Sequence, residues 1–300
     1  MPSITVGYVP SLEAIPLLDW ASEGSVRTQS CPGYGNMVRG LLTGSLEAGL
    51  IPWELLVSDL LSRPGQTRAW KIPAIMKACP MELVLSQPAR KQVFPIKRSS
   101  RNSANVELIF GVEARHSFTK RQIVVWMESL KSNRMGSPRF KVLPMKLMIK
   151  ALKMGEVDGV LAPSPWGLQA EVEGVGKIER SFDVGEHGQH LVLVCRGETV
   201  SRSHQLFVDF AGQLTESNAL KRGSDRFLKC CSAMAASSAS TLSAELFDLA
   251  LKRYSLHSLP DEFVPDASWF EKELEILVSR RAVSMSPASI REVAGNLLCA

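Results

Sequence analysis

The chain has 300 residues, 45% of them apolar and 22% charged, with a net charge of +5. This is the composition of an ordinary globular protein, with length enough for two modest domains or one large one, and it excludes a disordered chain. The slight positive excess falls far short of a nucleic-acid-binding value and mildly favours anionic partners.

Ile4–Val9 reads as a first strand that ends at Pro10, and Leu12–Ser22 as a helix with Pro16 in its first turn. Ser25–Ser30 is a second strand, followed by a Gly/Pro turn at Cys31-Pro32-Gly33-Tyr34-Gly35. Asn36 is expected to cap a helix that runs through Leu42. Then comes a segment that the chain writes twice: LLTGSLEAGLIPW from Leu41 to Trp53, and LKMGEVDGVLAPSPW from Leu152 to Trp166. Leu41/Leu152, Gly44/Gly155, Glu47/Asp158, Leu50/Leu161 and Pro52/Pro163 pair at one offset of 111 residues. In each copy a helix stops at a glycine, which enters the left-handed C-cap without a Cβ penalty. A turn with one carboxylate follows. A brief apolar strand comes next, Ala48–Ile51 or Gly159–Ala162, and a proline ends it.

Trp53–Leu61 is read as helical up to the break at Arg63-Pro64-Gly65, and Glu82–Ser86 as a strand leading to Gln87-Pro88. Residues 89–104, with Arg90, Lys91, Lys97, Arg98 and Arg101 among Ser and Asn, read as an exposed basic connector. Glu107–Val112 is a strand, Ser117–Ser132 a helix, Phe140–Leu143 a strand ending at Pro144, and Met145–Met154 a helix with one apolar face. After the second copy, Trp166–Val172 opens a helix and Gln189–Cys195 is a return strand. The remainder is helical: Ser203–Leu214, Ala235–Tyr254, Ala267–Ser279 and Pro287–Leu298.

No apolar run approaches the roughly 18–20 residues that span a bilayer. The six cysteines form neither a CxxC pair nor a metal-ligand spacing, so free thiols in a reducing compartment are expected. Without a basic, apolar leader at Met1 the chain is placed in the cytoplasm as written, or in the periplasm if a leader lies upstream. His187-Gly-Gln-His190 lacks the Glu and helical setting of a zinc hydrolase, so no metal is expected. There is no GxSxG, P-loop or GxGxxG, and the chain is expected not to be an enzyme.

The start GYVPSLEAIP, the stretch GYGNMVRGLLTGSLEAG and the stretch VLPMKLMIKALKMGEVDGVLAPSPW resemble the nitrate-, bicarbonate- and sulfonate-binding proteins of ABC importers. The resemblance covers roughly residues 4–200. It implies an α/β chain in the two-lobed type II periplasmic-binding-protein fold, with two crossing strands as a hinge and a helical C-terminal segment. Lobe 1 is expected at 1–88 plus 192–300 and lobe 2 at 89–191, with the hinge near Ser86–Pro88 and Val192–Cys195. The implied function is binding of a small anion or organic acid between the lobes, without a cofactor. The chain would serve an ABC permease, or a regulatory partner as a cytoplasmic sensor; no direct contact with nucleic acid is implied. An enzyme of the menaquinone or thiamine-pyrimidine type on the same fold is the alternative, although Cys230-Cys231 does not reproduce the Cys-rich motif of the latter.

The same resemblance implies the ligand-binding set. It comprises Pro10 and Ser11 after the first strand, and Tyr34, Gly35 and Asn36 at a helix start, with Tyr34 where nitrate binders usually carry Trp. Met81 stands where they have Gln. Thr119 stands where they have His, with His116 as a nearby substitute. Pro163 ends the second strand of the repeat, and Ser164-Pro165-Trp166 stands where the family has Glu-Pro-Trp. Helix N-termini at these places offer unpaired N–H groups and positive potential to an oxyanion.

Overall fold

The computed structural model describes residues 4–24, 26–61, 69–77, 80–94, 107–113, 118–130, 136–182, 190–215, 225–237, 242–253, 266–279 and 284–298. Its strands are β1 (Ile4–Tyr8), β2 (Val26–Ser30), β3 (Ala48–Pro52), β4 (Trp70–Lys77), β5 (Met81–Ser86), β6 (Ile109–Val112), β7 (Arg139–Val142), β8 (Gly159–Pro163), β9 (Gly176–Phe182) and β10 (His190–Arg196). The helices are α1 (Ile15–Ala21), α2 (Tyr34–Thr43), α3 (Trp53–Leu55), α4 (Gln87–Val93), α5 (Phe118–Ser129), α6 (Met145–Lys153) and α7 (Trp166–Val172). The C-terminal segment adds α8 (Gly197–Thr215), α9 (Asp225–Ser237), α10 (Ala244–Arg253), α11 (Ala267–Ser279) and α12 (Pro287–Leu297).

The strands form two five-stranded sheets of matching order, β2-β1-β3-β10-β4 and β7-β6-β8-β5-β9. In each, a central strand pairs in parallel with its neighbours on both sides, β1 with β2 and β3, β6 with β7 and β8. An antiparallel strand from the other half of the chain then completes the set, β10 on β3 and β5 on β8. The two copies of the repeated segment occupy equivalent places. Gly44 and Gly155 have φ of 77° and 69°. Glu47 accepts from the backbone N–H of Thr5 at 2.8 Å, and Asp158 accepts from that of Ile109 at 2.8 Å. Each turn carboxylate therefore ties the end of its helix–turn unit to the start of the central strand. Asp158→Ala removes such a charge-assisted bond and is expected to cost about 1.5–3 kcal/mol in urea unfolding, with Asp158→Asn costing less.

Apolar spacing fixes the packing. On α6, Met145, Met148, Ile149 and Leu152 are buried while Lys146, Lys150 and Lys153 are exposed, as a helix with a single inward stripe requires. The second sheet buries Leu83, Leu85, Phe110 and Leu161 against Ile123, Trp126 and Met127 of α5. The face toward α6 and α7 joins the larger core of the first sheet and the tail.

Several expectations are corrected. Met81–Ser86 pairs with β8 and β9, so it belongs to the second sheet and not to the first lobe, and Ser86 caps α4 instead of marking a hinge. The chain passes between sheets after Lys77 and after Phe182. Arg90 and Lys91 lie on α4 and not in a loop; positions 95–104 are outside the described residues. β4 and β9 were not expected. Pro73 interrupts the first and charges interrupt the second, and both lie at sheet edges, where such residues are tolerated. Asn36 makes no cap: α2 starts two residues earlier, behind Gly33. The expected helix Ala235–Tyr254 is two helices, because Ser237 ends α9 and the Ser243 hydroxyl accepts from Leu246 N–H at the start of α10.

The tail holds both halves of the molecule. Arg226 of α9 pairs with Asp19 and Glu23 beside α1, and Arg253 of α10 bonds Glu171 of α7 at 2.8 Å. No helix among the described residues is long and apolar enough to cross a membrane.

Candidate functional site

In open α/β sheets ligands gather beyond the carboxyl ends of the strands. Here such ends from both sheets meet. Pro10 follows β1, Cys31 and Pro32 follow β2, Glu113 follows β6, and Ser164 to Trp166 follow β8. Direct bonds cross the boundary. The Trp166 indole Nε1 donates to the Pro10 carbonyl at 2.6 Å, and Leu12 N–H donates to the Ser164 carbonyl at 3.2 Å. Arg121 of α5 bonds Glu54, two residues past Pro52, at 2.7 Å. Pro52 and Pro163, the matched ends of the two copies, thus face one shared boundary.

A cavity of about 180 Å³ opens at this boundary, lined by Pro10, Ser30, Cys31, Pro32, Lys146, Trp166 and Ser237. Pro10, Cys31 and Trp166 are buried and make its floor, while Lys146 and Ser237 are exposed and stand at its mouth. Lys146 is the one charged residue among the described residues of the lining. Ser237 reaches the cavity from the tail, where its hydroxyl lies 2.7 Å from that of Tyr8. Burial holds the Tyr8 phenol above its ordinary range, and the hydroxyls of Ser237 and Ser30 pull the other way. Burial pushes the Cys31 thiol up to about 11, with a smaller opposing effect from the Tyr8 backbone, so at neutral pH it is an unionised thiol and a poor nucleophile. Among the described residues the lining combines an apolar floor, hydroxyl groups and one ammonium. Among the described residues nothing in the lining resembles a nucleophile–base pair.

The expected site residues divide. Pro10 and Trp166 line the cavity. Ser164 is fully buried behind it, and Pro163 and Pro165 are buried with it, so they place Trp166. Ser11 is also buried, its hydroxyl turned back to the Val9 carbonyl at 3.1 Å. Tyr34 is buried and gives its backbone N–H to the Glu113 carboxylate. Gly35 and Asn36 are exposed and outside the cavity lining. Met81 is half-buried in β5, paired with Pro163, and Thr119 is buried on α5; neither lines the cavity. His116, with Ser117 and the 187–189 part of the HxxH segment, lies outside the described residues. His190 itself packs edge-on against Trp269, and its Nε2 lies 4.0 Å from Glu273. Among the described residues no group of three or more His, Cys, Asp or Glu is placed to hold a metal ion. Cys31, Cys195, Cys230 and Cys231 are buried free thiols.

Ser30, Cys31, Pro32, Lys146, Ser237 and Glu113 were not anticipated. One local signal marks Lys146: a cation in the first turn of a helix opposes the helix dipole and has no structural benefit there. Glu113 is the other electrostatic centre. The residue is half-buried, but its carboxyl end is enclosed between the halves of the molecule. Burial pushes its pKa up to about 8, and the Tyr34 N–H bond lowers it by less.

Residues 1–221 match the NMT1-like family. The chain belongs to that family. No curated protein matches its sequence. Solved structures resemble this NMT1-like chain over nearly its whole length. The ligand-binding component of an ABC-type import system from Staphylococcus aureus, with zinc bound, is 14% identical, with 99% of this chain and 96% of that one covered and a TM-score of 0.73. The periplasmic nitrate-binding protein NrtA from Synechocystis PCC 6803 is 12% identical, with 99% and 86% covered and a TM-score of 0.69. The alkanesulfonate-binding protein SsuA from Xanthomonas axonopodis pv. citri, bound to MOPS, is 11% identical, with 97% of each chain covered and a TM-score of 0.67. At such identities the likeness is one of fold, and that fold is the two-sheet periplasmic-binding-protein architecture.

Proposed function

We propose that this NMT1-like protein binds a small acidic solute in the cavity between its two sheets, as the solute-binding component of an ABC importer. The observation that carries this reading is Lys146, the one charge among the described lining residues, beside hydroxyl, thiol and apolar groups that come from both halves and the tail. The fold supports it, since the similar structures are binding proteins and two of them take nitrate and alkanesulfonates. A zinc-bound structure shares the fold as well, and among the described residues the cavity lining has no carboxylate or imidazole. The partner on this reading is the membrane permease that receives the solute. The ligand set is Pro10, Trp166, Lys146, Ser30 and Ser237.

Isothermal titration with nitrate, nitrite, bicarbonate and short alkanesulfonates tests the proposal. At least one is expected to bind, and Lys146→Ala is expected to weaken it about 10- to 100-fold, the worth of a charged hydrogen bond. Silence across the whole panel, or full affinity in Lys146→Ala, removes the reading.

A further inference from the structure

The start of α2 carries the N–H groups that an anion would take, and one of them already has an acceptor. Tyr34 follows β2 of the first sheet and Glu113 follows β6 of the second, 79 residues away, and the Glu113 Oε1 accepts from Tyr34 N–H. Gly33 makes room for it. A Cβ at Gly33 would sit 2.7 Å from that same oxygen, with the Met145 N–H at the head of α6 3.7 Å away. The backbone of Gly33 is extended (φ 177°), so its lack of a side chain is not needed for the turn. The carboxyl group thus sits at the head of α2, a helix of ten residues, with Gly33 leaving the space it fills.

We propose that Glu113 is an internal latch: its carboxyl group reaches from the second sheet to the start of α2 beside the first and helps hold the cleft closed while no ligand is bound. The latch adds to the contacts that already cross the boundary, Trp166 to Pro10, Leu12 to Ser164 and Arg121 to Glu54, and to the tail's bond from Arg253 to Glu171. It rests on the reading of the cleft as a binding site only in the sense that a ligand enters when the two halves part; Tyr34 and Glu113 are outside the cavity lining. Glu113→Gln keeps an oxygen acceptor at the same reach and retains the latch. Glu113→Ala removes it. Gly33→Ala leaves Glu113 intact but drives its oxygen away from Tyr34.

Small-angle X-ray scattering of the full chain in ligand-free buffer tests this. Glu113→Ala and Gly33→Ala are expected to show a larger radius of gyration than wild type, and Glu113→Gln an unchanged one. If Glu113→Ala fails to fold, Gly33→Ala against Glu113→Gln decides. Wild-type radii in every folded variant overturn the latch, whatever titration shows for ligands. Expanded Ala variants with no binding in the anion panel support the latch and remove the solute reading instead.

Discussion

Trp166→Ala is expected to unfold at much lower urea than wild type, losing about 3–5 kcal/mol, and to lose solute binding in the same protein. Trp166 is 3% exposed, and its indole fills the floor of the cavity against Pro10. Alanine leaves a void the size of a bicyclic ring, which neighbours fill only in part. It also strips the Pro10 carbonyl of its 2.6 Å bond from Nε1, a buried acceptor whose loss costs about 1–3 kcal/mol. Trp166→Phe separates the two effects. It restores most of the volume and omits the N–H, so the smaller part of the loss should remain. Equilibrium urea curves with a common slope are the measurement, since a changed slope would report a different unfolded or native state. Stability within 1 kcal/mol of wild type in Trp166→Ala would contradict the placement of this side chain.

Stability is expected to fall as pH rises from about 4.5 to about 8, and Glu113 is the cause. An unperturbed glutamate titrates at 4.5, whereas the enclosed Glu113 carboxyl is pushed up to about 8 by burial. The folded state therefore holds a proton that the unfolded chain releases. Its contribution is complete below about pH 4.5 and is lost as pH rises through about 8. Within that window the slope approaches about 1.4 kcal/mol per pH unit for a single proton. Asp19 is raised as well, by burial beside Arg226, so the whole protein does not report Glu113 alone. The difference between wild type and Glu113→Gln does. The variant carries no titrating group at 113, and its unfolding free energy should vary less with pH by about that slope. Parallel curves for the two proteins between pH 5 and pH 8 would contradict an enclosed, protonated Glu113.

The repeated segment was legible because its parts act locally. A glycine at the helix end, a carboxylate in the turn and a proline at the strand end each do their work within a few residues, and Gly44/Gly155 and Glu47/Asp158 do the same work in both halves. The resemblance brought Pro10 and Trp166 to the cavity, but the Asn36 cap fails because α2 starts two residues sooner. Ser237 and Glu113 had no local signal. Ser237 sits in an Ala/Ser-rich run and reaches Tyr8 only when α9 packs on α1, 229 residues from its partner. Glu113 acquires its character from the opposite half of the molecule, and a strand-end carboxylate in sequence looks like any solvated one. β4 and β9 were hidden for the opposite reason. Edge strands tolerate the proline and charges that argue against a central strand, and only the completed sheet reveals where the edges are.

A crystal structure grown with whichever anion of the panel binds tightest bears most directly on the account. The bound anion is expected between Lys146 and Trp166, within hydrogen-bond reach of the Lys146 ammonium and over the Pro10 floor. An anion found instead in the surface groove between α7 and α10, beside Leu168, Val172 and Arg253, with the cavity unchanged, would contradict it.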